Sequence, residues 1–164
     1  MSDSRFNIVL SETEAIIRMG VAIAAGGAIG FERERLAKPA GIRTYALVCL
    51  GATLFMVGSI MLGDEVRRDG GLEYDPSRIG STIVQGIGFL AAGVIFTAGN
   101  RVQGLTTAAG IWVTAAIGLL IGAGFYVVAV AGTVLVIVTL VVLGWFADWA
   151  DLDNDGANRN PIQD

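Results

Sequence analysis

The side chains able to do chemistry are few, and most of them gather around one turn. Glu32, Arg33, Glu34 and Arg35 follow Gly30-Phe31, and Ala40-Gly41-Ile42-Arg43-Thr44 comes shortly after. One apolar segment ends there and the next begins. Two adjacent helix ends bring their side chains close in space, so Glu32 and Arg43 are expected to form an ion pair. The same residues also suit a plain basic loop with solvated carboxylates. Enzymatic chemistry is not expected, because the chain has no His and hence no Ser–His or Cys–His pair. Cys49 is the single cysteine, which excludes an intrachain disulfide. A net charge of −4 leaves no basic surface for nucleic acid. No cofactor is implied, a His-based metal site is excluded, and whether the chain binds a metal by other groups is left open.

The elements that must position these groups are membrane helices. Charged residues make up 16% of the 164, against about 25% in a soluble domain, and they are missing in long blocks. Five apolar runs result, at about 15–31, 41–62, 79–98, 105–121 and 125–147. The last two are not separated by charge. A single helix from Val102 to Ala147 would rise ~69 Å, more than twice the hydrocarbon core, so two crossings are expected with the turn at Gly122-Ala123-Gly124. The expected fold is therefore an all-α membrane protein: residues 1–147 form a bundle of five transmembrane helices. Residues 148–164 are expected to be an acidic, disordered tail. Asp151-Leu152-Asp153-Asn154-Asp155-Gly156 copies the start of an EF-hand loop, but Ile162 stands where the bidentate Glu belongs.

Orientation follows from Lys and Arg. Arg33, Arg35, Lys38 and Arg43 place the first connection in the cytoplasm. The second, from Gly63 to Arg78, carries Asp64, Glu65, Asp69, Glu73 and Asp75 and is placed outside. The N-terminus is then outside and the C-terminus cytoplasmic. The N-terminus lacks the basic start and cleavage site of a signal peptide, so insertion is expected to rest on the first helix. Arg18 lies about 20 Å of helix from Glu32, too short to cross the hydrocarbon core. It must snorkel outward, thin the bilayer or face the bundle interior.

Small residues recur at helical spacing. Arg18, Ala22, Gly26, Gly30 and Glu34 share one face of the first helix, and Thr106, Gly110, Thr114, Gly118 and Gly122 share one face of the fourth. The third helix carries Gln85-Gly86-Ile87-Gly88-Phe89-Leu90-Ala91-Ala92-Gly93, for which tight packing is expected and a local break is the alternative. Val127–Leu143 has few small residues and reads as lipid-facing. A shift of 63 residues places Gly30 on Gly93, Gly41 on Gly104 and Thr44 on Thr107. This weak repeat allows two repeated hairpins plus a fifth helix.

These strings resemble the MgtC/SapB family. Gly30-Phe31-Glu32-Arg33-Glu34, Ala40-Gly41-Ile42-Arg43-Thr44, Arg78 with Gly86-Ile87-Gly88-Phe89-Leu90-Ala91-Ala92-Gly93-Val94-Ile95, and Gly104-Leu105-Thr106-Thr107-Ala108-Ala109 with Trp112 carry the likeness over about residues 12–125. Ala91 stands where the family has Gly, Thr97-Ala98-Gly99 lacks an acidic residue of some members, and only a short acidic tail stands where many members append an ACT-like domain. The resemblance implies a multi-pass inner-membrane protein linked to magnesium limitation and ion homeostasis. The candidate functional cluster is Glu32, Arg33, Glu34, Arg43, Thr44, Arg78, Gln85, Thr106 and Thr107, and the helix-packing glycines are Gly26, Gly30, Gly86, Gly88, Gly93, Gly110, Gly118 and Gly122. Besides the lipid bilayer, the expected partner is another membrane protein, with self-association as a further option. Regulation of that partner is the first reading and transport of Mg²⁺ or another ion the second. Every Asp and Glu lies at a helix end, a loop or the tail, which favours the first.

Overall fold

The structure is a computed structural model that describes residues 10–70, 77–98 and 101–157. Among them are five helices: α1 (Glu12–Arg35), α2 (Ile42–Arg68), α3 (Ser77–Ala92), α4 (Leu105–Gly122) and α5 (Tyr126–Ala157). A two-stranded antiparallel hairpin, β1 (Phe96–Ala98) with β2 (Arg101–Gln103), separates α3 from α4. Successive helices run in opposite directions. One end of the bundle therefore holds the α1–α2 turn, the end of α3 and the start of α4, and the other holds the start of α1 and the α4–α5 turn.

Local sequence explains the helix ends. The Ser11 hydroxyl accepts from the Glu14 N–H at 3.2 Å, while Glu12 and Glu14 in the first turn and Arg33 and Arg35 in the last complement the α1 dipole. The α1–α2 turn closes with Lys38 N–H donating to the Arg33 carbonyl and Ala37 N–H to that of Glu34, which puts Ala37 in the left-handed region at φ +49°. The α4–α5 turn repeats this scheme with Gly124 at φ +86°. Gly104, at φ +87°, precedes α4, and a Cβ there would collide with the Val94 carbonyl oxygen. Only glycine lets the β2–α4 junction sit against the end of α3.

α4 is the centre of the bundle and packs against the other four helices, while α2 lies between α1 and α4. The close approach is made by the predicted stripes. A Cβ on Gly26 would meet the Tyr45 carbonyl oxygen at 2.5 Å, and one on Gly30 the Ile42 Cα at 2.7 Å. Gly110 faces the Tyr45 ring, Gly118 the Cys49 carbonyl and Gly122 the Met56 side chain. Thr53 Oγ1 donates to the Gly118 carbonyl at 2.7 Å, adding an interhelical hydrogen bond between fully buried surfaces.

Four of the helices, α1, α2, α4 and Tyr126–Phe146 of α5, are long and apolar enough to cross a membrane. The chain is a multi-pass membrane bundle. The third differs from expectation. The run 79–98 is not one helix, because α3 has 16 residues, about 24 Å, and ends at Ala92 before the hairpin. Gly93 and the β-favouring Ile95, Phe96 and Thr97 end it there. Within the described residues no atom lies within 4 Å of a Cβ placed on Gly86 or Gly88, and Gly93 meets only its own preceding turn. Those three glycines do not pack helices of this chain, since α3 turns Ile83, Ile87 and Ala91 inward instead. At the other end of the sequence, α5 continues to Ala157, so the EF-hand-like string is helical rather than a loop. Residues 158–164 of the expected tail, and Glu73 and Asp75 of the acidic connection, lie outside the described residues.

Candidate functional site

The charged cluster at the α1–α2 turn divides into a buried pair and an open cavity. Arg33 turns into the bundle, its side chain only 4% exposed, and forks onto its neighbour: Nε donates to Oε2 of Glu32, and Nη2 to Oε1 at 2.6 Å. Adjacent helical residues do not ordinarily face each other, so this pairing requires both side chains to curl together. A desolvated guanidinium needs a bidentate carboxylate, and Glu32 is the acid within reach. Tyr45, on α2, is fully buried, and its hydroxyl donates to the Thr107 carbonyl at 3.4 Å.

The expected Glu32–Arg43 pair is therefore corrected. Arg43 is exposed, and among the described residues it has no ion-pair partner. Its place is on the lining of a cavity of about 660 Å³, together with Lys38, Thr44 and Leu90. Glu34 lies on the same lining, and its Oε2 accepts from the Ile42 N–H at 2.8 Å. That contact caps α2, whose first residue otherwise has no side-chain acceptor because Gly41 precedes it.

The remaining candidates are placed apart. Thr107 is buried beneath Tyr45, whereas Thr106 points outward. Arg78 sits at the start of α3, about 18 Å along the helix from Leu90, and its carbonyl accepts from the Ser81 and Thr82 hydroxyls at 2.8 and 3.2 Å. Gln85 lies on the outward face of α3, on the stripe Ser81, Thr82, Gln85, Gly86 and Phe89, all exposed. The inward face is apolar.

A second polar site at the opposite end was only half visible in the sequence. Arg18 faces the bundle interior, its side chain 11% exposed. Nη1 donates to the Gly122 carbonyl at 2.6 Å, and Nη2 pairs with Glu14 Oε1 at 2.8 Å, which also accepts from the Tyr126 hydroxyl at 3.3 Å. The arginine caps the carbonyl end of α4 and ties it to α1 and α5. Glu14 was missed, though its four-residue spacing from Arg18 could have signalled the pair; nothing in the sequence signalled Tyr126.

The pattern defining the MgtC family matches residues 19–149, which include both α1–α2 turn motifs and the outward stripe of α3. The chain belongs to the MgtC family. It is 45% identical over 129 residues to YhiD of Escherichia coli K12, a protein provisionally named as a magnesium transporter, covering 79% of this chain and 60% of that relative. It is 44% identical over 119 residues to MgtC of Brucella abortus, covering 72% of this chain and 46% of the relative. To MgtC of Salmonella typhimurium it is 39% identical over 128 residues, covering 78% and 52%. The chain thus spans about half the length of the curated relatives it matches. No solved structure matches it. Like these MgtC-family relatives in sequence, it is a membrane protein, with names among them linked to magnesium.

Proposed function

We propose that this MgtC-family chain is a non-enzymatic protein of the cell inner membrane that supports adaptation to low magnesium by binding and regulating another membrane protein. The observation that carries this reading is the outward face of α3. In a helix embedded in a bilayer bundle, Ser81, Thr82, Gln85 and Gly86 all face away from the chain, while Ile83, Ile87 and Ala91 face in. Ser81 and Thr82 spend their hydroxyls on the Arg78 carbonyl, but the Gln85 carboxamide has no hydrogen-bond partner among the described residues. A carboxamide left in hydrocarbon is costly, and a small residue beside it permits close helix approach. A second transmembrane helix satisfies both conditions. The basic α1–α2 turn supports a cytoplasmic position for that end of the bundle and an external N-terminus.

The name of the Escherichia coli relative favours a second reading, in which the protein itself moves Mg²⁺. Against it, α4 carries no charged residue and α2 none between Arg43 and Asp64, so the buried middle of the bundle offers hydroxyl, thiol and backbone groups. The experiment couples growth to flux. In cells lacking the native protein, Gln85→Leu and Gly86→Leu should abolish growth on limiting magnesium at unchanged protein abundance. Wild-type proteoliposomes should show no Mg²⁺ uptake. Saturable uptake abolished by Glu32→Gln would replace regulation with transport.

A further inference from the structure

We propose that the cavity at the α1–α2 turn is a binding site for the headgroup of an anionic phospholipid. The cavity, about 660 Å³, has the size of a small-molecule site and is lined by cations at one level and aliphatic side chains at the next. On α2, Arg43 stands four residues before Leu47 and Thr44 four before Val48, so each polar group sits one turn above an apolar one on the same face. Lys38 faces them from the turn and Leu90 from α3. Among the described residues neither Lys38 nor Arg43 has an ion-pair partner, and the Thr44 hydroxyl has no hydrogen-bond partner. The one acid on the lining, Glu34, is held on the Ile42 N–H. Two uncommitted cations and a hydroxyl match a phosphate diester, which Arg and Lys bind through charge-assisted hydrogen bonds.

The apolar level continues away from the turn and explains why the phosphate should be a lipid's. Leu47, Gly51 and Phe55 follow at four-residue spacing along the exposed face of α2, and Gly51 leaves an open notch with no described atom within 4 Å of a Cβ. That track runs about 12 Å toward the middle of the membrane, the path of an acyl chain hanging from a headgroup held by Lys38 and Arg43. A soluble phosphate would use the cations and leave the track empty. A zwitterionic lipid would fill the track but bring a cation of its own to the basic rim.

Native mass spectrometry of the purified full chain tests this, with phosphatidylglycerol, phosphatidylcholine and inorganic phosphate as probes. Phosphatidylglycerol should be retained in preference to phosphatidylcholine. Lys38→Gln combined with Arg43→Gln should cut its retention about tenfold, equivalent to ~1.4 kcal/mol, while Arg68→Gln at the opposite end leaves it unchanged. The charge-keeping variant Lys38→Arg with Arg43→Lys should preserve the preference, and it serves as the folded comparison should the neutral pair lose structure. Equal retention of the two lipids by the wild type, retention indifferent to the cations, or displacement of phosphatidylglycerol by inorganic phosphate would each overturn the assignment.

Discussion

Arg18 Nη1 reaches 104 residues along the chain to donate a 2.6 Å hydrogen bond to the carbonyl of Gly122, the last residue of α4. The last carbonyls of a helix lack intrahelical partners, and this end is the negative pole of the helix dipole. The same guanidinium holds Glu14, which in turn accepts from Tyr126. Arg18→Met should remove its ties to Gly122 and Glu14 and strand the carbonyl, costing ~2–4 kcal/mol, whereas Arg18→Lys should recover part of it. Thermal unfolding in detergent of the two variants beside the wild type checks the order.

The buried Glu32–Arg33 pair, on the same helix but at the other end of the bundle, makes a sharper prediction. Glu32→Ala leaves Arg33 in a dry site with no carboxylate, a loss of about 3–5 kcal/mol. Arg43→Ala, on an exposed side chain without an ion-pair partner, should change stability by less than about 0.5 kcal/mol. Protein abundance after membrane extraction should fall for the first and hold for the second. Equal losses would restore a Glu32–Arg43 pair.

Much of this architecture was legible in the sequence, and its gaps have physical causes. Apolar length gave α1, α2 and α5, and the glycine–alanine–glycine string marked the α4–α5 turn, because each of these signals is local. The stripes Gly26–Gly30 and Gly110–Gly118–Gly122 were readable because close helix approach demands small residues at a four-residue period. Charge pairing was not. Glu32 had Arg33, Arg35 and Arg43 within plausible reach, and only the inward rotation of Arg33 toward Tyr45 decides among them. Gly86 and Gly88 share the composition of the true packing stripes, yet Ile83, Ile87 and Ala91 turn inward and no described atom lies within 4 Å of a Cβ placed on either glycine. Composition could not tell a glycine that packs inside the bundle from one that faces out.

That distinction is testable at single positions. A Cβ on Gly118 would overlap the Cys49 carbonyl, so Gly118→Ala should destabilise the bundle by ~1–3 kcal/mol. Gly58→Ala, where no described atom lies within 4 Å, should be neutral or stabilising by up to about 1 kcal/mol. Matched melting curves report the difference, and similar losses at both sites would mean that α2 and α4 are not in close contact at Gly118.

Ala37 carries the one positive φ among the described non-glycine residues, at +49°. Left-handed geometry costs an L-residue roughly 1–2 kcal/mol, offset partly by the extra freedom glycine loses on folding. Ala37→Gly should therefore stabilise the α1–α2 turn by about 0.5–1 kcal/mol, seen as a higher melting temperature at unchanged growth on limiting magnesium.

The central claim is that the outward face of α3 meets another membrane protein. A photo-crosslinking amino acid at Gln85, compared with the same residue at Leu135 on the exposed face of α5, tests it most directly in intact cells under magnesium limitation. Gln85 should give one discrete adduct with a different membrane protein, lost in the Gly86→Leu background, and Leu135 should give none. An adduct only with a second copy of the chain, or no protein adduct from Gln85 while growth is supported, would contradict the account.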